Sequence, residues 1–283
     1  LVFVPQGGRD TLPDGLPVLS ASQIETYLDC PYKWFSLRRL RLGSVDAGHT
    51  ALEMGSFAHR VLEVTHRELL LRALAADLGV SRDDAATDEG LLALVDAEPA
   101  RHVAGSRVDE DTLEQARAAL ELEFDLHREH MFLERSPRPS QQLLIAHDSA
   151  ERAQERQLRE DLLSALEYQR GILKGFEPRF FEWGFGRHDR LVRYAGAYFT
   201  GTVDRIDVNP HGMAVIIDYK HKSPTGFASE YDALQDGVLE GTLLPKRVQS
   251  LIYAQVVRRA FEGRLRLVGS VYLSTRSPHA IAG

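Results

Sequence analysis

The segment "GTVDRIDVNPHGMAVIIDYKHK", residues 201–222, sets two apolar, β-branched runs on either side of the breaker cluster Asn209-Pro210-His211-Gly212. That pattern predicts two strands joined by a turn. Side chains alternate faces along a strand, so Thr202, Asp204, Ile206 and Val208 share one face of the first run. In the second run Ala214, Ile216, Asp218 and Lys220 share one. If the two faces lie on the same side of the hairpin, Asp204, Asp218 and Lys220 converge at the end away from the turn. The turn alone leaves that register open. Charge carried into an apolar setting is costly unless it is paired or coordinated.

Two carboxylates beside an ammonium suit a divalent cation. Mg²⁺ takes oxygen ligands, keeps several waters, and is held by one or two carboxylates together with a substrate phosphate. The ion stabilises charge on a phosphate under attack and lowers the pKa of bound water. A neighbouring lysine can orient or help deprotonate that water, or neutralise developing charge. Taken alone, an Asp-x-Lys also describes a structural ion pair on a strand edge. Arg205, Asp207 and Tyr219 fall on the opposite face and read as structural, and Lys222 reads as a solvated strand end.

Outward from the hairpin, "RFFEWGFG", "YAGAYFTGTVDRIDV" and "RLVGSVYLST" are strand-like, and "PKRVQSLIYAQVVRRAFEG" is a helix opening at Pro245 and closing at Gly263. Upstream the texture is helical. Ser22 and Glu25 have capping-box spacing for a short helix that Pro31 ends or redirects, and Phe57, Val61, Leu62, Thr65 and Leu69 keep a helical period. Further helices are expected near 109–132 and 149–174, with residues 75–105 an insertion or loose hairpin. Residues 1–19, rich in Gly and Pro, read as an arm. The expected organisation is an arm, then one domain over 20–283, with a helical insertion at about 70–165 and a sheet core from about 166. The fold class is α/β, a mixed sheet flanked by helices.

The bulk numbers narrow the function classes. With 41 acidic and 34 basic residues the net charge is −7, which argues against a nonspecific DNA coat but not against an enzyme with local carboxylates. "YKWFSLRRLRL" concentrates Lys33, Arg38, Arg39 and Arg41 among aromatics, as a snorkelling helix or a phosphate-binding face would. No apolar run approaches membrane-spanning length. The single cysteine, Cys30, excludes an internal disulfide and fits a reducing cytoplasm. Leu1 in place of methionine fits an excised piece of a longer chain.

"GTVDRID…IIDYK" resembles the core of the PD-(D/E)XK nucleases, specifically the RecB-like branch found in bacterial helicase–nucleases. Further short motifs match in order. "SASQIETYLDCPYKWF" resembles that branch's opening helix and Cys-Pro turn, "MGSFAHRVLE" its Gly-x-x-x-His helix, "FEPRFFEWGF" its glutamate strand, and "QSLIYA" its Gln-x-x-x-Tyr pair. The resemblance implies a restriction-endonuclease-like fold and a Mg²⁺- or Mn²⁺-dependent deoxyribonuclease, an exonuclease in DNA end processing for recombination and repair. Its partners would be DNA and a helicase subunit or domain. It also implies roles: Asp204, Asp218, His59 and Glu182 at the metal, Lys220 with the same carboxylates in catalysis, and Gln249 and Tyr253 toward substrate or lysine. A catalytically silent DNA-binding or scaffolding module of the same fold is the alternative. Some members of the branch carry an iron–sulfur cluster on four cysteines; Cys30 stands where the first would be, and with no second cysteine no cluster is expected.

Overall fold

The computed structural model describes residues 14–38, 51–82, 88–130, 148–186, 190–231 and 247–282. In chain order these form β1 (Val18–Ser20), α1 (Ala21–Asp29), α2 (Pro31–Arg38), α3 (Ala51–Asp77), α4 (Asp88–Ala97), α5 (Leu113–His130) and α6 (Ser149–Gln169). There follow β2 (Glu177–Phe185), β3 (Val192–Tyr194), β4 (Ala197–Val208), β5 (Met213–Lys220), α7 (Pro224–Tyr231), α8 (Gln249–Ala260), β6 (Arg266–Ser274) and β7 (His279–Ala282).

The breaker cluster closes a hairpin. The Asn209 side chain accepts from the backbone N–H of His211 at 3.0 Å and of Met213 at 2.9 Å. Gly212 takes φ +68°, a left-handed value that costs glycine nothing. The turn sets Val208 opposite Ala214, Ile206 opposite Ile216 and Arg205 opposite Ile217. With Ile206 opposite Ile216 and Val208 opposite Ala214 the two faces coincide, and continuing that register past its last pair brings Asp204 level with Asp218.

Strand β4 is the axis of the seven-stranded mixed sheet. Its first half pairs with β1 in parallel and β3 antiparallel, and its second half lies between β2 and β5. Beyond β5 come β6, parallel, and β7, antiparallel. A parallel neighbour needs a crossover, and the chain between β5 and β6 carries α7 and α8. Alternation then sorts the core. Ala214 and Ile216 pack with Ile252, Val256 and Val257 of α8, whereas Ile217 and Tyr219 pack with α3, α5 and α6. This is the α/β arrangement expected, consistent with a restriction-endonuclease-like fold.

Several local expectations are corrected. The capping box uses Ser20 and Gln23, not Ser22 and Glu25, because Glu25 is engaged with α8. Pro31 opens α2 as well as ending α1. Val18 and Leu19, expected at the end of the arm, belong to the sheet strand Val18–Ser20. The run at 194–208 is two strands: Ala195 at φ +46° and Gly196 at φ +79° make a two-residue hairpin turn of the mirror-image kind. Helix α7 had no predicted counterpart. The expectations resting on residues 1–13, Arg39, Arg41 and Pro245 lie outside the described residues. No helix among the described residues is long and apolar enough to cross a membrane.

Candidate active site

Asp204 stands at the middle of β4 with an acidic neighbour on each side. On β2, Phe181 pairs with Arg205 and Trp183 with Val203, which puts Glu182 opposite Asp204. On β5, Ile217 pairs with Arg205, so Asp218 follows at the level of Asp204. Glu182 takes φ +45°, a left-handed conformation worth about 1–3 kcal/mol of strain for a residue with a Cβ. Its effect is visible in the packing. Phe180 and Trp183, three residues apart, both lie against Phe261, at 5.1 and 5.2 Å between ring centroids. Strict alternation forbids that, and the left-handed Glu182 lies between the two rings; the ladder to β4 stays one-to-one from Phe181 to Phe185, its register shift falling between Pro178 and Phe180.

Helix α3 brings in His59, one turn ahead of Glu63, while Phe57, Val61 and Leu62 are buried in the core. His59 Nδ1 lies 3.3 Å from Asp204 Oδ2. Ligand atoms of His59, Glu182 and Asp204 all fall within 4.8 Å of one another. Three elements therefore deliver three metal-ligating groups to one point. Asp204 Oδ2 also accepts the Tyr219 backbone N–H at 2.8 Å, which orients the carboxylate.

Asp218 lies beside this cluster. It is 2% exposed, its Oδ2 is paired with Lys220 Nζ, and its Oδ1 has no hydrogen-bond partner among the described residues. Lys220 Nζ donates to Gln249 Oε1 at 3.0 Å, and it sits 5.6 and 5.7 Å from the ring centroids of Tyr231 and Tyr272. Gln249 is the first residue of α8, and its backbone N–H and that of Val248 are both held by Glu25 Oε1 of α1, at 2.9 and 2.8 Å. Tyr253, one turn on, is buried: its ring meets Phe185 edge-on, and it bonds Gln249. Gly201 makes room for it, since a Cβ there would come within 2.9 Å of Phe185 Cζ and 3.1 Å of the Tyr253 hydroxyl.

Charges in the cluster are strongly coupled. Burial alone would depress the His59 imidazole, but the Asp204 charge and hydrogen bond outweigh it and raise its pKa to about 9. Burial likewise pushes the Asp204 carboxyl up, and His59, Lys220 and the Tyr219 N–H together bring it below its ordinary value. Asp218 is raised to about 6, by burial first and by repulsion from Asp204, with Lys220 opposing. Lys220 is held above its ordinary range because Asp218, Tyr231 and Asp204 overcome its burial. The lysine is thus an ammonium, and with a proton on His59 it offsets part of the carboxylate charge.

On the opposite face of the strands Arg205 is a buried hub. It forms a two-point ion pair with Asp207, at 2.7 and 2.9 Å, and its Nη1 meets the Tyr219 hydroxyl at 2.6 Å, His66 Nε2 and Gln169. These residues hold the strands and do not face the cluster. Lys222 is paired with Glu230 of α7, and His221 Nδ1 is 2.7 Å from Thr275 Oγ1.

The donor set fits a divalent cation on two counts: three grouped ligands, and a buried carboxylate beside them whose Oδ1 is uncommitted among the described residues. Of the four residues expected at a metal, His59, Glu182 and Asp204 are brought together, and Asp218 adjoins them. Tyr231, Tyr272, Glu25 and the Tyr219 N–H were not anticipated. Nothing local in the sequence marks them, because each acts on a partner that only the fold brings near. A family model described as the PD-(D/E)XK nuclease superfamily matches residues 18–282 of this chain. No curated protein matches it.

Proposed function

Since the chain belongs to the PD-(D/E)XK nuclease superfamily, whose members are generally nucleases that use divalent metals, we propose that it is a Mg²⁺- or Mn²⁺-dependent deoxyribonuclease of the RecB-like kind. It hydrolyses phosphodiester bonds as an exonuclease in DNA end processing, alongside a helicase. Residues 20–283 act as one nuclease domain. The observation that carries this reading is the meeting of His59, Glu182 and Asp204 from α3, β2 and β4 beside the buried Asp218–Lys220 pair.

In this reading His59, Glu182 and Asp204 hold the ion, with Asp218 adjoining. When bound, the ion supplies Lewis-acid stabilisation of the phosphate and a more acidic water. The protein's own groups do the rest. Lys220, kept as an ammonium, stabilises negative charge building on the phosphate and is unsuited to accept a proton. Gln249 and Asp218 take two of its three N–H bonds and so aim the third. The Tyr219 N–H keeps the Asp204 carboxylate turned toward the cluster.

Cleavage of end-labelled linear DNA in Mg²⁺ or Mn²⁺ tests the assignment. Wild type should cleave, and Lys220→Ala and Asp218→Ala should each lower kcat by about 10²-fold or more. Cleavage that survives both substitutions refutes the site. No cleavage by wild type, with DNA binding that needs no metal, makes the chain a silent nuclease-fold DNA-binding module.

A further inference from the structure

At the end of the sheet remote from the carboxylates, an open cleft of about 860 Å³ lies between the β4–β5 turn, the close of α8 and the start of β6. Its walls include Arg258, Arg259, Arg264, Arg266 and His211, with Glu262 the one acidic group. All six are exposed. None of the four arginines forms an ion pair with a carboxylate among the described residues, although Arg60, Arg72, Arg101, Arg159, Arg205 and Arg247 elsewhere all do.

Three of them, Arg259, Arg264 and Arg266, have neutral partners that hold the guanidinium groups in place. Arg259 donates to the Gln255 side chain at 2.7 Å and lies 4.5 Å from the Tyr194 ring centroid. Arg264 donates to Ala260 O at 2.7 Å and lies 5.3 Å from the Phe261 centroid. Arg266 contacts Met213 Sδ. Arg258 and Arg259 also sit where a helix C-terminus favours cations, but that does not account for Arg266, which comes from the sheet. In a chain of net charge −7, four uncompensated guanidiniums around one cleft form a local positive field.

We infer that this cleft binds the phosphate backbone of the DNA substrate at a distance from the cleavage point. The inference rests on the reading of the chain as a DNA nuclease. Guanidiniums pair with phosphate oxygens two at a time and need no base identity, so the grip is on the strand and not on sequence. The cleft is open at the surface, as a polymer requires. Two elements connect it to the carboxylates. Helix α8 runs from Gln249, beside Lys220, to the arginines, and β5 runs from Met213 to Lys220. Five strand steps of about 3.3 Å from Met213 to Asp218 put the cleft end of β5 about 17 Å from that carboxylate, near five base-pair steps of duplex. DNA held at the cleft is thereby presented to the carboxylates some distance along its length.

The test compares wild type, the Arg258→Glu/Arg266→Glu double variant, and Arg152→Glu, which alters an exposed arginine on α6. Binding of a labelled oligonucleotide of about 30 nucleotides, single-stranded and as duplex, is followed by anisotropy in EDTA from about 50 to 200 mM salt. The double variant should bind about 10-fold or more weakly, with a salt slope shallower by about two, one for each phosphate no longer neutralised. Arg152→Glu should match wild type. With Mg²⁺ and saturating DNA, the double variant should keep its kcat and show the loss in KM. Unchanged affinity and slope in the double variant overturn the inference, as does an equal loss in Arg152→Glu. Failure of wild type to cleave would overturn the nuclease reading, while the EDTA titration judges the cleft by itself.

Discussion

Glu25 on α1 and Gln249 on α8 are 224 positions apart in the chain, and one carboxylate oxygen of the first accepts the backbone N–H of the second at 2.9 Å. The same oxygen takes the Val248 N–H, so a side chain from the first helix caps the helix that supports Lys220. Glu25→Ala should therefore cost about 0.5–2 kcal/mol in urea denaturation. It should also lower kcat, because Gln249 then holds the ammonium less firmly. Normal kcat in a destabilised variant would separate the cap from the site.

The Arg205–Asp207 pair is a stronger lever on stability. Both side chains are buried, at 4% and 2% exposure, and removing one leaves the other charged without compensation. Arg205→Met should cost about 3–5 kcal/mol, while Arg205→Met/Asp207→Leu should recover much of it. Denaturant midpoints of the two variants decide between a costly orphan charge and simple loss of packing.

Glycine positions on and just after β2 give a graded test. Gly186 has φ +84°, and a Cβ there would come 2.3 Å from Phe199 O, a backbone atom that cannot swing away. Gly184, two residues earlier, has nothing within 4 Å of its would-be Cβ. Gly186→Ala should cost about 1–3 kcal/mol or more, and Gly184→Ala close to nothing. Thermal melts of the pair check this directly.

Metal binding has a readout independent of activity. At about 100-fold over its Kd, Mn²⁺ should raise the melting temperature of wild type by roughly 5 °C. The shift should vanish in Asp204→Ala and in His59→Ala. An equal shift in both variants would move the ion elsewhere.

His66 is held well below its ordinary pKa, by burial first and by the Arg205 charge second. A depressed histidine stays neutral in the fold while the unfolded chain takes up a proton below about pH 6.5. Its contribution is therefore complete above about pH 6.5 and is lost as pH falls, by at most about 1.4 kcal/mol per pH unit. His221, lowered to about 4, chiefly by burial, acts with the same sign. Asp218, raised to about 6, acts with the opposite sign, because its folded form holds a proton that the unfolded form releases. The readout is therefore the difference between wild type and His66→Gln in EDTA. That difference should shrink steadily from about pH 6.5 to about pH 5.

The hairpin at 201–222, helices α3, α5 and α6, and the burial of Phe57, Val61, Leu62 and Leu69 were legible because each rests on a period of 2 or 3.6 within a short window. Asp204, Asp218 and Lys220 were legible for the same reason. Glu182 was nameable, but its kink was not: a left-handed residue inside an apolar strand leaves no local mark. Helix α7, with Thr225 and Gly226 in its first turn, has too few residues for a period to show. The cap at Ser20 was hidden because Ser20-x-x-Gln23 and Ser22-x-x-Glu25 have the same spacing, and only the remote demand of α8 distinguishes them.

Alternation by itself determined which residues share Asp204's face on the first strand, and that Asp218 and Lys220 share one on the second, because side-chain direction follows from backbone pleat; the register of the hairpin, which joins those two faces, was decided by the fold. The fold alone decided that His59 reaches Asp204, that Glu182 lies opposite it, and that Tyr231, Tyr272 and Gln249 surround the ammonium. Those contacts join residues 11 to 145 positions apart. The longest of these loops close only when the burial of many apolar groups offsets the chain entropy lost in bringing the ends together.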